Sequence, residues 1–174
     1  MFGRNRSSDT LRTTESSTVA MLIIELFAGD RSGIRALFEQ ADDSLSEIDR
    51  YIETGDVFVA RVDGGIAGHV QLIRSEAGCE IKSIATVESF RRQGIGTSLV
   101  RTALEYAASR GCTQVFVGTA IADLDAIHFY EGQGFRLGRI ERNVFIAERG
   151  YPEVDVNGIQ VRDRAWFSIP LERY

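Results

Sequence analysis

Residues 91 to 97, Arg-Arg-Gln-Gly-Ile-Gly-Thr, combine two guanidinium groups, two closely spaced glycines and the start of a helical apolar repeat. The first turn of a helix leaves backbone N–H groups without internal partners, and the aligned peptide dipoles make that end positive. Glycines let such a backbone approach a ligand closely. Arg91 and Arg92 add charge, so the junction suits a phosphate or pyrophosphate. No Lys-Ser/Thr pair follows the second glycine, which excludes a P-loop, and the three-glycine dinucleotide fingerprint is absent as well. On these residues alone, a glycine-eased turn that binds nothing is an open alternative.

The elements around this loop follow from periodicity. Residues 80–87 alternate as a strand, with Ile81, Ser83, Ala85 and Val87 expected on one side and Lys82, Ile84 and Thr86 on the other. From Ile95 the period becomes helical, with Ile95, Leu99, Ala103 and Tyr106 as a stripe widened by Val100, Leu104 and Ala107. Gly111 is expected to end that helix. A strand over 115–119 completes a strand–helix–strand unit, which requires two parallel strands joined by a right-handed crossover. A further helix is expected over 124–133 and a strand from Gly134 to about Ile140.

Upstream, residues 21–27 read as a strand. Asp30 or Ser32 can cap a helix carrying Ile34, Leu37 and Phe38, and a second helix is expected over 44–53. Two β-rich runs flank Asp63-Gly64-Gly65 as a hairpin, so three consecutive antiparallel strands lead into the loop. His69, on the middle one, reads as structural. Near the C-terminus, 166–171 fits a final strand, with Pro170 at an edge or strand end. The loop of some twenty residues before it exceeds the common connection length and reads as a lid or a dimer element.

Two motifs in order, Arg91-Arg-Gln-Gly-Ile-Gly96 and Ala126-Ile-His-Phe-Tyr130-Glu-Gly-Gln-Gly134-Phe135, make residues 21 to 140 resemble the GNAT superfamily of N-acetyltransferases. The resemblance implies an α/β fold: a mixed, mostly antiparallel twisted sheet with a central parallel pair, flanked by helices on both faces. It implies acetyl-CoA as cosubstrate and direct acetyl transfer to an amine. The pyrophosphate would lie on Arg91, Arg92, Gln93, Gly94, Ile95, Gly96 and Thr97. The pantetheine arm would pair with the strand at Ile84, Ala85 and Thr86, in the gap where two parallel strands splay apart. Tyr130 corresponds to the family tyrosine near the coenzyme sulfur, the donor to the departing thiolate. Glu80 corresponds to a glutamate that several members use as base, others using a water chain. Asp123 stands where an asparagine usually contacts pantetheine, so an acceptor-only carboxylate replaces an amide, and here it reads first as a helix cap. Read without the resemblance, Tyr130 is also an aromatic anchor beside Phe129, and Glu80 also a solvated strand-start residue. A non-catalytic acyl-CoA-binding or sensor domain of the same fold is the alternative to an enzyme.

Composition bounds the rest. A chain of 174 residues with 44% hydrophobic content supports one domain with a core, assigned to residues 21–174. Residues 1–20, rich in Ser, Thr and Arg, cannot bury enough surface to offset ordering entropy and are expected to be disordered. No apolar run is long enough to span a membrane. The net charge of −5 argues against nucleic-acid binding and fits a small cationic amine acceptor better than a protein N-terminus. Cys79 and Cys112 match no metal spacing and, being far apart in sequence, suggest no disulfide; reduced thiols and a cytoplasmic location are the expectation.

Overall fold

The structure, a computed structural model, describes residues 21–171, so the expectation for residues 1–20 lies outside the described residues. Nine strands and four helices follow one another as β1 (Leu22–Leu26), α1 (Arg35–Ala41), α2 (Leu45–Tyr51), β2 (Asp56–Val62), β3 (Gly65–Ser75), β4 (Gly78–Thr86), α3 (Ile95–Ser109), β5 (Gln114–Ala120), α4 (Leu124–Gly132), β6 (Arg136–Glu141), β7 (Asp155–Val156), β8 (Ile159–Gln160) and β9 (Arg164–Pro170). Seven strands form one sheet in the order β1-β2-β3-β4-β5-β9-β6, while β7 and β8 make a small separate hairpin. Every neighbouring pair in the large sheet is antiparallel except β4 and β5. The mixed sheet with a central parallel pair is the expected one. The expected final strand is present as β9, inserted between β5 and β6, and Pro170 closes it at its end.

Apolar residues split into two cores, one on each face. The helix α3 buries Ile95, Leu99, Val100, Ala103, Leu104 and Ala107 against β3 to β5, and Tyr130 of α4 and Phe135 join the same cluster. On the other face Leu37 and Phe38 of α1, with Ile48 and Tyr51 of α2, cover Val57 and Val59. Asp30 starts the first of these turns by accepting from the Ser32 N–H, and Ser44 caps α2 at the Glu47 N–H. Arg31 donates to the carbonyls of Ile52, Thr54 and Gly55, satisfying oxygens left bare where α2 ends. Gln71, buried, ties the sheet to the same turn through Tyr51 and Thr54 carbonyls. His69 is fully buried with Nε2 at 2.9 Å from the Ser83 hydroxyl and its ring 4.4 Å from that of Phe38. Burial pushes its pKa down to about 3, so it is neutral and structural.

Two expectations need correction. In β4 the alternation breaks at Lys82: Gln71 pairs with Ser83, but the next residue, Leu72, pairs with Ile81. Lys82 is the extra residue of a β-bulge, so the strand's phase shifts there. Ile81 therefore shares the α3 face with Ile84, whereas Ser83 lies on the α1 face with His69; Ile81 and Ser83 do not point the same way. Lys82 turns toward α2, its ammonium 4.9 Å from the centre of the Tyr51 ring.

The second correction concerns Cys79 and Cys112, which form a disulfide with Cα atoms 6.1 Å apart. The crossover through α3 returns the chain to the start of the parallel pair, so a sequence separation of 33 becomes a contact. Closing a loop of that size stabilises by about 3–4 kcal/mol in the chain-entropy account.

Candidate active site

The parallel ladder between β4 and β5 is short. It contains Cys79↔Val115, Glu80↔Phe116 and Ile81↔Val117 and then stops, because β5 continues along β9 while β4 diverges. From Lys82 to Thr86 one edge of β4 therefore lacks a strand partner. The polar groups of that edge need partners, and an extended ligand with amides can supply them.

At the end of this edge the backbone turns into α3. Arg92 and Gly94 both have left-handed backbones, at φ 61° and 80°. Gly94 is the N-cap of α3, with no side chain to occupy the first-turn donors. A Cβ on Gly94 would meet nothing within 4 Å, so its glycine answers to φ and not to space. The N–H groups of Ile95, Gly96 and Thr97 precede the first helical donor, Ser98, which bonds Gly94. Together they form a concave, positive donor cluster at the head of a 15-residue helix.

A cleft of about 610 Å³ lies along these features. It brings together ten of the residues expected to bind the cosubstrate: Ile84, Ala85, Thr86, Arg91, Arg92, Gly94, Gly96, Thr97, Asp123 and Tyr130. Two others are placed differently. The Ile95 side chain is buried in the core, leaving its backbone at the loop, and Gln93 turns its amide to the Ser89 carbonyl at 3.0 Å. Asp123 caps α4 by accepting from the Ala126 N–H at 3.0 Å, as expected. Tyr130 is 6% exposed and stands edge-on to Phe129 and Phe135. Burial, reinforced by the Asp123 carboxylate, raises its phenol pKa, so the hydroxyl stays protonated and able to donate.

In the gap between the splayed strands lies a further pocket of about 180 Å³, bordered by Ile81, Lys82, Thr119, Asp123 and Tyr130, the last two of which also line the cleft. Lys82, Thr119 and Asp123 also line a third cavity of about 370 Å³, bordered by the end of α1. Glu80 borders that third cavity and not the cleft; its carboxylate is 3.8 Å from the Lys82 ammonium. Of the two expected catalytic side chains, Tyr130 lines the cleft and the pocket in the gap, and Glu80 lines the third cavity.

Sequence reasoning did not find most of the third cavity. Its floor includes Asp42, Lys82 and Gly118, and its outer wall Phe145, Tyr151 and Trp166. Of that wall, β9 supplies Trp166, and the segment expected as a lid or dimer element supplies Phe145 and Tyr151. It is fixed by the Ser44 hydroxyl donating to the Arg149 carbonyl at 3.2 Å, by buried Tyr151, and by Phe145 and Val144 N–H groups on the Arg162 carbonyl. Asp42 accepts from the Ser44 N–H at 3.0 Å and from the Tyr51 hydroxyl at 3.3 Å. Burial raises its carboxyl pKa against the opposing effect of those bonds and of Lys82. No local spacing announces these residues, since they come from parts of the chain separated by more than a hundred positions.

A splayed parallel pair and a donor-rich helix head, with a pocket in the gap that shares lining residues with a cleft and with a second cavity, suit group transfer between two ligands. The chain belongs to the Acetyltransferase (GNAT) family, whose pattern it matches over residues 23–135. It is 33% identical over 152 residues to the uncharacterized N-acetyltransferase YvbK of Bacillus subtilis (strain 168), covering 86% of this chain and 97% of that one. Among solved structures, a GNAT family acetyltransferase from Elizabethkingia anophelis with acetyl-CoA bound superposes with a TM-score of 0.80 at 26% identity, over 86% of this chain and 97% of the other. A Bacillus subtilis acetyltransferase in complex with CoA gives 0.78 at 29%, over 86% and 99%. The chain is an N-acetyltransferase, and the enzyme reading stands over the binding-only alternative.

Proposed function

We propose that the protein transfers the acetyl group of acetyl-CoA directly to a small amine that enters as the ammonium ion. The observation carrying this reading is the ladder that ends at Ile81↔Val117, since the pocket in the gap beyond it shares lining residues with both the cleft at the phosphate-suited loop and the separate cavity. In this reading the pyrophosphate rests on the N–H groups at 94 to 97 with Arg91 and Arg92 beside it, and pantetheine pairs with β4 at Ile84 and Thr86. The thioester then lies near Tyr130. Asp42, Asp43 and Glu80 border the other cavity and favour a cationic acceptor.

The ammonium gives up a proton to Glu80, directly or through water, and the freed nitrogen attacks the thioester carbon. A C–N bond forms, and a backbone N–H of β4 stabilises the oxygen as it gains charge. The C–S bond breaks, the Tyr130 hydroxyl protonates the departing thiolate, and the second proton that the nitrogen sheds restores the phenol. The products are the amide, CoA and one proton. Holding both reactants across the sheet supplies much of the rate. The compartment best suited to this chemistry is the cytoplasm, where acetyl-CoA is at hand. That placement no longer draws on the cysteines, because a pair able to bond is not a mark of reduced thiols.

Acetyl-CoA binding by calorimetry, wild type beside a Gly94→Asp/Gly96→Asp variant, tests the reading. Two carboxylates near the pyrophosphate should weaken binding by on the order of 100-fold or more. Wild type that binds neither acetyl-CoA nor CoA would overturn it.

A further inference from the structure

Beside the cavity assigned to the acceptor lies a smaller recess of about 220 Å³, with Lys82, Tyr151 and Arg164 bordering both spaces. We propose that this recess binds an oxyanion, so that the acceptor is an amine that also carries a carboxylate or phosphate group. The inference rests on the acetyltransferase reading and narrows its substrate class.

Charge is the first observation. Arg50, Lys82, Arg149 and Arg164 line the recess against the single carboxylate of Glu47, in a chain whose net charge is −5. Arg50 is the member already engaged, in an ion pair with Glu47. The nearest carboxylate contacts of the other two inner cations are long, 3.8 Å from Lys82 to Glu80 and 3.9 Å from Arg164 to Glu141. At those separations the charges feel each other but no hydrogen bond forms. Both side chains are largely withdrawn from water, at 21% and 17% exposure, which makes unused donors costly.

Pre-positioning is the second. The Arg164 guanidinium lies 5.1 Å from the Trp166 ring and 5.2 Å from that of Phe145, and the Lys82 ammonium lies over Tyr51. An arginine held by its faces keeps its N–H edge for a planar or tetrahedral oxyanion. Gly118 makes this possible. A Cβ there would come within 2.7 Å of Arg164 Cδ, so glycine clears the path by which the side chain crosses β5. The polarity of the two spaces is complementary: Asp42, Asp43, Glu80 and Asp123 border the main cavity. An acceptor with both charges would enter with its amine toward Tyr130 and its anion in the recess.

The test is CoA release from acetyl-CoA with matched acceptors: L-amino acids beside their amides, β-alanine beside β-alaninamide, and O-phosphoethanolamine beside ethanolamine. The anionic member of at least one pair should show kcat/KM about tenfold or more above its partner; the pair with the larger ratio identifies carboxylate or phosphate. Arg164→Gln should bring the ratio to within about twofold by raising KM for the anionic acceptor alone. Because Arg164 also packs against Trp166, two gentler variants accompany it. Gly118→Ala displaces the guanidinium while keeping every charge, and Arg149→Ala removes an exposed cation; both should lower the ratio in the same way. Equal or inverted ratios, ratios that survive all three substitutions, or no accepted anionic amine despite intact acetyl-CoA binding would overturn the proposal. Wild type that fails to bind acetyl-CoA in calorimetry would identify the failure as one of the acetyltransferase reading itself.

Discussion

The cleft proposed for the cosubstrate and the cavity proposed for the acceptor are built by opposite strategies. The cleft draws most of its residues from one run, 84 to 97, and works largely through backbone: an unpaired strand edge and the first turn of α3. The acceptor cavity is assembled from α1, the bulge in β4, the end of β5, the segment before β9 and β9 itself, and it works through side chains. A site made of backbone needs the right turn and tolerates many neighbours. A site made of scattered side chains can be rebuilt by a few substitutions without disturbing the fold, and there substrate choice can change independently.

The largest test of this division is Tyr130→Phe, since Tyr130 lines both the cleft and the pocket in the gap. Loss of the hydroxyl should lower kcat on the order of 100-fold while leaving acetyl-CoA affinity and the acceptor KM unchanged. Unchanged turnover would remove Tyr130 from the chemistry and leave it as an aromatic anchor. Because its pKa is raised, no loss of kcat from its ionisation is expected as the medium turns mildly alkaline.

A smaller effect concerns the support beneath the acceptor side. His69 takes up a proton near 6.5 when unfolded but only near 3 when folded. The unfolded chain thus binds more protons between those values, and stability must fall as pH drops below about 6.5. By pH 5 the loss is about 2 kcal/mol. Chemical denaturation at pH 7 and pH 5, with His69→Gln as control, checks it. An equal fall in the variant would assign the loss elsewhere, since the carboxylates Asp30 and Glu141, held below their usual range, contribute at lower pH.

The smallest is Asp42→Asn. It should raise the acceptor KM by about tenfold through loss of one cavity charge, with acetyl-CoA affinity unchanged in calorimetry. If both ligands weaken together, the two regions are not separable in the way their construction suggests.

What could be read from sequence follows the same line. The turn at Gly94, the apolar stripe of α3 and the Tyr130 motif each lie within a few residues of their neighbours, and local patterns predicted them. The bulge at Lys82 could not be seen, because alternation continues in the letters while the pairing slips by one position. The Cys79–Cys112 bond escaped because distance along the chain was taken for distance in space, and the α3 crossover cancels it. Asp42, Tyr151 and Arg164 carry no motif, and only the tertiary fold makes them neighbours.

One side chain turns this architecture into its own instrument. Trp166 is the single tryptophan of the chain. Its indole donates to Glu141 at 2.8 Å, lies against the Arg164 guanidinium and borders the acceptor cavity. Its emission therefore reports from one place only. A ligand entering that cavity, or drawing Arg164 away from the ring, changes the light directly, without label or turnover, whereas acetyl-CoA in its separate cleft should leave the signal nearly still.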